Sequence, residues 1–584
     1  MNQATFFFDQ HIRKLSQGLS LLTESLSSQK EPTARRLNDS EILVLKNQGC
    51  RAENWATVCI SPAEKPQAKL ENIHNTSFSG KIILNQADSI RIENSRLRDC
   101  FIGAHTHILD CSWLEKCWIE DECSIRNSSI SSPESEHQFP FGIGSPVELF
   151  NESYPTVYRL QPADTLEHIL SSLDSQTEPD FPPLEQTQIK LWAWNYMGKQ
   201  SQVFNAPDCR NIFLDSGCRI DGALQIHSCA IMSSILSEQN ETNMICRPVL
   251  IGPGCIIRNS AVQPGCFVDS SARIFSSLLL ETAHAENGAT ITNSIIGPGS
   301  QLGQGETTAC LVGPLVAQHH QSLLIAADWR GGRGNIGYGA NIGSNHSSRL
   351  PDQHIHIGEG CFLGLNCGIS FPASLAPYSL VASGTLLRSQ RIDLPFSLVL
   401  SDENGANRII PAWGLQKNMF AILRNQHKMA GRWKALCHSY NWSPFRQSLR
   451  LHMQAAIEEL SKQREKQKNA ERIFLPETGC STTYILTRDV DTAIAAYQQA
   501  IRWGELTEAH ATPLSAEQQK ERSQLAQDIL EKIRSSRQRD FAQEQHVFPD
   551  KKSIAGSPED AHLQTIKENL HTYLLVTPEA DPST

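Results

Sequence analysis

Between Asn404 and Ile457 the chain has no Asp or Glu, yet Arg408, Lys417, Arg424, Lys428, Arg432, Lys434, Arg446 and Arg450 give eight positive charges. Trp413, Trp433 and Trp442 are interleaved among them. A guanidinium fork suits phosphate, and an indole offers a flat face on which a base can stack. Such a run fits a phosphate-rich ligand, another polyanion or the acidic face of a partner. The plainer reading is a helix packed on another element with its basic face in water. A second set of residues is imidazole: His320, His346, His354 and His356 fall in one stretch. Imidazole titrates near neutrality, so it serves as a general base, and it is also a good zinc ligand.

Something must hold these groups, and the stretch HIHIGEGCFLGLNCGISF at 354–371 indicates what. Ile357, Leu363 and Ile369 step by six, and Cys361 and Cys367 each stand two places before an aliphatic. Neither the helical period of 3.6 nor the strand period of 2 explains a step of six. Three short strands per superhelical turn, each ending in a corner, do explain it. The aliphatic at each sixth position points inward, and the residue two before it must be small. Ile102, Ile108 and Leu114 keep the step, with Thr106 and Ser112 as the small residues; after a slip of one, Ile119 and Ile125 follow with Cys117 and Cys123. Ile251 and Ile257 (Cys255), Val262, Val268 and Ile274 (Cys266, Ala272), Ile296 and Leu302 (Ser300), and Ile336 and Ile342 (Ala340) continue it. Glycine corners such as IGPG at 251 and 296 supply positive backbone angles. A fixed short period of this kind marks a β-solenoid, whose coils bury a core by stacking.

The register also accounts for much of the cysteine. Seven of the 17, Cys117, Cys123, Cys218, Cys255, Cys266, Cys361 and Cys367, take the small inward position and are expected as buried free thiols. No CxxC pair occurs, which argues against zinc-ribbon and thioredoxin-type chemistry. Neither a signal-peptide pattern nor an apolar run near the spanning length is present, so the expectation is a cytoplasmic protein with reduced thiols and no membrane span. A length of 584 residues implies several structural units, and a net charge of -10 argues against wholesale nucleic-acid binding. The fold class read from these patterns is mainly β, a parallel β-helix with helical additions. The expected order is a helical N-terminal segment (1–68), a first solenoid block (69–131), and an insertion with helices around TLEHILSSL and EQTQIKLWAWNYM (132–202). The main solenoid with the site (203–403), the basic Trp-containing helical segment (404–475) and a helical C-terminal extension with a disordered end (476–584) follow.

The hexad rule resembles that of the left-handed β-helix, hexapeptide-repeat acyltransferases. The left hand rests on that resemblance alone, since crossover sterics in general favour the right. HHQSLLIA (319–326), NIGYGANIGSNHSSR (335–349) and IHIGEGCFLG (355–364) follow the order of a catalytic His, a glycine-rich Asn-bearing loop and further hexads. That order is found in the acetyltransferase domain of the bacterial bifunctional enzymes that acetylate glucosamine 1-phosphate and make UDP-N-acetylglucosamine. FGIGSPVELFNE, GPLVAQHHQSLLIA and GSNHSSR further resemble a group of large bacterial hexapeptide-repeat proteins.

The resemblance implies that His320 is the general base, with His319 as the alternative register. It implies that Asn345 contacts substrate and acetyl-CoA, and that Arg349, with His346 nearby, stands near a sugar phosphate. Backbone N–H groups around Gly337 and Gly339 would receive the developing oxyanion. Acetyl-CoA or another acyl-CoA would be the co-substrate, no metal would be required, and the acceptor would be an amino sugar phosphate or a sugar nucleotide. A homotrimer with sites between neighbouring solenoids also follows from the resemblance. If the basic segment borders that cleft, Arg424 and Arg432 would hold the phosphates of coenzyme A and Trp413 or Trp433 would stack on its adenine. Two departures are plain: no GxGTRM-type loop is present, which argues against uridylyl transfer, and the Tyr-Asp after the loop Asn is replaced by His346 and Ser347. Two other classes stay open. One is a zinc enzyme of hexapeptide type, for which His320, His356 and Cys361 have comparable separations. The other is a non-catalytic scaffold with helical arms.

Overall fold

The computed structural model describes residues 34–62, 67–132, 139–175, 194–236, 244–318, 320–343, 354–435, 441, 443–508 and 514–547. The chain forms two compact units, residues 1–327 with 434–438, and residues 328–433 with 439–584. The architecture is mainly β, a parallel β-solenoid with helices towards both ends of the chain.

In the first unit, mostly short strands stack in parallel on their counterparts one coil later. Ile257 faces Ile274, which faces Ile291, a step of seventeen residues (257, 274, 291). The predicted aliphatics Ile102, Ile108, Leu114, Ile119, Ile125, Ile251, Ile257, Val262, Val268 and Ile274 are all buried. The seventeen-residue coil explains the slip of one in the register: two corners keep six residues and one is shorter by a residue. At that short corner a residue with positive φ, Asn259 (50°), Ser276 (45°) or Asn293 (47°), turns the chain. The buried serine after it closes the corner. Ser260 Oγ accepts from Ser277 N (3.1 Å), Ser277 Oγ from Ser294 N (3.0 Å), and Ser294 Oγ from Cys310 N (3.1 Å). The backbone donors that the tight turn takes out of the strand ladder thus find partners, as buried N–H groups must. One assignment needs correction: Ser112 is exposed, and Cys111 is the buried residue at its corner.

The described part of residues 1–68 is mixed rather than helical. Asp39–Asn47 is the expected helix, started by a capping box in which Asn38 accepts from Glu41 N while Glu41 accepts from Asn38 N. Val58–Ser61 is already a strand paired in parallel with Ile82–Asn85. The excursion after residue 132 holds the hairpin Pro146–Leu149/Thr156–Arg159 and the helix Leu166–Ser175. Its apolar side, including Val147, Leu149, Tyr158, Leu166 and Ile169, packs against outward residues of the coils, Tyr196, Phe213, Leu278, Ile295 and Leu311 among them. Of the second expected helix, residues 185–193 lie outside the described residues, and Asn195–Met197 is a strand paired with Cys117–Ile119.

The second unit continues the same construction with a step of eighteen (Leu363, Val381, Val399). Its parallel stack ends where Leu398–Ser401 pairs antiparallel with Asn407–Ile410. An open sheet edge is a liability, and here polar side chains finish it. Thr483 Oγ1 donates to Gln390 Oε1 (2.6 Å), Gln390 Nε2 to Asn407 Oδ1 (2.7 Å), and Asn407 Nδ2 to Leu386 O (2.9 Å). The basic segment, read as helical, supplies helices Trp413–Lys417, Met419–Arg432 and Gln447–Lys466 together with strands Asn407–Ile410 and Arg472–Phe474. The helix Thr487–Thr507 buries Val490, Ala493, Tyr497, Ala500 and Trp503, a three-and-four spacing that gives one apolar face. Tyr497 Oη donates to Pro395 O (2.6 Å) and accepts from Ala412 N (3.2 Å), which fixes that helix to the end of the stack.

Candidate functional site

Within the second unit, outward residues of the coils and the helix Gln447–Lys466 enclose a cavity of about 840 Å³. That size suits a small-molecule ligand. On the strand Ile355–Ile357, Ile355 and Ile357 are buried and His356 faces out. His354, two places earlier, shares its face because strand side chains alternate. The neighbouring strand brings Asp328 to them. The Asp328 carboxylate is 2 % exposed; its Oδ2 lies 3.5 Å from His356 Nδ1 and 3.8 Å from His354 Nε2. Arg330 Nε lies 3.0 and 2.9 Å from its two oxygens. Burial alone would raise the Asp328 carboxyl, but the two imidazoles and the Arg330 guanidinium hold it well below the usual carboxylate range. The imidazole rings stand 4.2 Å apart.

Glu359 forms another wall of this cavity. It takes ion pairs from Arg333 and Arg446, and Arg333 also donates to the Tyr378 hydroxyl. Arg333 and Tyr378 in turn line a smaller cavity of about 320 Å³ that also receives Trp413 and Arg424. Tyr378 stacks on Phe396 with centroids 4.6 Å apart. Among the described residues, the buried Nε of Arg424 has no hydrogen-bond partner. Arg424, Lys428 and Arg432 recur at four-residue intervals along Met419–Arg432 and so form one stripe. Burial, and then the charges of Arg432 and Arg424, push the Lys428 ammonium below its ordinary value.

Of the residues expected from the sequence, Trp413 and Arg424 are brought together in one cavity, while Arg432 is exposed at the end of its helix. Gly337 and Gly339 belong to the second unit. Gly337 N–H donates to Leu363 O (2.7 Å), so the coil below already uses that donor. Gly339 has φ +69°, and a Cβ there would fall 2.1 Å from Asn366 Oδ1, so glycine is required for the turn. His320 is an exposed residue of the first unit. His319, Asn345, His346 and Arg349 lie outside the described residues. Cys361 cannot share a metal ion with His356: its thiol is buried inside the coil and donates to Ala376 O (3.4 Å), whereas His356 faces out. The basic run is also less free than its sequence suggests, because Arg408 pairs with Asp489 (3.0 Å), Arg450 with Glu508 (2.5 Å) and Arg446 with Glu359. Asp328 and Arg330 carry no signal in the sequence other than lying outside the hexads. The two-residue spacing of His354 and His356 was the visible half of the cluster.

Among the described residues, no helix is long and apolar enough to cross a membrane. Comparison with known proteins finds an uncharacterised protein of Treponema pallidum (strain Nichols), 23% identical over 444 residues, covering 70% of this chain and 58% of the treponemal protein. The bifunctional protein GlmU of Anaplasma marginale (strains Florida and St. Maries) is 29% identical over 199 residues, which is 32% of this chain and 40% of GlmU. The chain therefore spans little more than half the length of the first relative and less than half of the others. The family described as a domain of unknown function (DUF4954) matches residues 34–161 and 185–435, so the chain belongs to the DUF4954 family.

Proposed function

We propose that the protein is an acyl-CoA-dependent acyltransferase, with acetyl-CoA as the first donor to test and an amino sugar phosphate or sugar nucleotide as acceptor. The observation that carries this reading is the 199-residue similarity to GlmU in a chain built of β-solenoid coils. The cavity that pairs Trp413 with Arg424 adds support, because an indole beside a guanidinium suits a nucleotide with its phosphates. On this reading His320 is the general base, Asn345, His346 and Arg349 meet the acceptor, and Arg424 and Arg432 hold the coenzyme A phosphates. The active species is a cytoplasmic homotrimer.

The test is thiol release on incubating the protein with acetyl-CoA and a panel of amino-sugar phosphates. His320→Ala should abolish release with assembly unchanged. Arg424→Ala with Arg432→Ala should weaken coenzyme A binding and make it less salt-dependent. Trp413→Ala should weaken it by about 5–150-fold, the equivalent of the ~1–3 kcal/mol of one stacked base. Absence of thiol release with every acceptor, together with unchanged coenzyme A affinity in the variants, would sink the reading.

A further inference from the structure

We propose that Asp328, His354 and His356 form a binding site for one zinc-type divalent cation, with an open coordination position facing the larger cavity. Their three ligand atoms lie within 4.8 Å of one another. The separations from Asp328 Oδ2, 3.5 Å to His356 and 3.8 Å to His354, are long for charge-assisted hydrogen bonds. The first matches another relation, and the second lies slightly beyond it. Ligand atoms held ~2.0–2.2 Å from a tetrahedral zinc stand roughly 3.3–3.6 Å from each other. The donor set points the same way: two imidazoles and one carboxylate favour zinc, cobalt or nickel over calcium or magnesium, which take oxygen ligands.

The fold builds this set without relying on a mobile loop for its geometry. His356 lies on the strand Ile355–Ile357, His354 immediately precedes that strand, and the third ligand comes from the strand beside it. Trp329, fully buried and donating from Nε1 to Gly358 O (2.9 Å), holds the residue next to Asp328 in place. Arg330 does not preclude a cation, because a carboxylate offers about four lone-pair positions. The guanidinium then acts as a positioning group that fixes the carboxylate, as outer partners of metal ligands commonly do. Three protein ligands leave the fourth tetrahedral position for water or for an anionic oxygen of the cavity's occupant. His452 lines the same cavity and suits such an oxygen. The site is independent of the acyl-transfer reading, since none of its residues has a role there.

The experiment uses the full chain without an affinity tag, stripped by dialysis against a chelator. It is titrated with Co²⁺, followed by visible absorption, and with Zn²⁺, followed by calorimetry. The expected result is one cation per chain and the intense visible bands of four-coordinate cobalt. His356→Ala and His354→Gln should each lower affinity by more than the roughly 10–100-fold typical of outer partners, and should remove the bands. His356 is 58 % exposed, so its replacement leaves the fold intact; circular dichroism and the melting temperature check this. His107→Ala, at an exposed position of the first unit, should bind as the wild type does. No uptake by the wild-type chain, or uptake that survives either His354→Gln or His356→Ala, overturns the proposal.

Discussion

Replacing Glu359 by Ala should unfold the second unit at a markedly lower temperature. Its carboxylate is 7 % exposed and stands between Arg333, at 3 %, and Arg446, at 20 %. Removing it leaves a guanidinium with almost no access to water facing a second positive charge. Breaking a buried ion pair from one side costs about 3–5 kcal/mol, because the remaining charge stays desolvated. Arg446 can regain water, so most of the loss falls on Arg333. A unit of this size shifts its melting temperature by about 2–4 °C per kcal/mol, which predicts a fall of roughly 6–20 °C in the corresponding calorimetric transition. Glu359→Gln, which keeps the volume and one carbonyl acceptor, should fall less. Replacing the pair together, Glu359→Leu with Arg333→Met, should lie closer to wild type, because apolar groups of similar size can substitute for a buried pair. If Glu359→Ala melted within about 2 °C of wild type, the carboxylate would not be neutralising a buried charge, and this account of the cavity wall would be wrong.

Two further outcomes follow from the register and the N-terminal cap. The seven register thiols should resist iodoacetamide in the native protein and react after denaturation, since burial pushes Cys123 and Cys255 up to about 11 and Cys361 and Cys367 up to about 12. Cys480, half-buried and with its thiol lowered by Thr482 and Thr483 against the effect of burial, should label before the seven register thiols, and rapid native labelling of Cys123 or Cys367 would refute the inward placement. Burial would raise Glu41, but Arg35 and the N–H groups of Asn38 and Ala68 hold it below its ordinary value. Its stabilisation is therefore complete above about pH 4.5 and is lost as pH falls through the depressed native value. Glu41→Gln should cost about 1–3 kcal/mol at neutral pH, read from amide exchange in Asp39–Asn47, and the difference from wild type should shrink in acid.

The coils were legible because their spacing is set by sterics. Only a small side chain fits beside each inward aliphatic, so Cys255 with Ile257 or Cys361 with Leu363 announces the turn. Even the slip of one was visible, although its cause, a corner closed by Ser260, Ser277 and Ser294, belongs to the stacking of coils. Ser112 was misplaced because the turn at that corner comes one residue early: Asp110 has φ +56°, Cys111 turns inward three places before Leu114, and Ser112 is pushed out. The covered outer face left a trace in Leu278–Leu279, Ile295–Ile296 and Leu311–Val312, where both strand faces are apolar. The cavity left much less. Asp328 meets His356 only because one coil lies on the next, and the acids that neutralise the basic run, Glu359, Asp489 and Glu508, all lie outside it.

That last point divides the basic segment by role. Arg408, Arg446 and Arg450 each face a carboxylate supplied by another element, so their charges are spent within the second unit and salt should change them little. Arg424, Lys428 and Arg432 form a stripe of like charge along one helix; burial lowers Lys428, and their mutual repulsion lowers it further. Like charges at four-residue spacing weaken a helix by a few tenths of a kcal/mol per pair. An anion placed over the stripe would remove that cost and gain the Coulomb attraction as well. The stripe starts at Arg424, inside the smaller cavity beside Trp413, and runs out to the surface at Arg432. A ligand that presents a flat ring to the cavity and successive phosphates along the helix satisfies both ends at once, which a compact anion such as inorganic phosphate cannot.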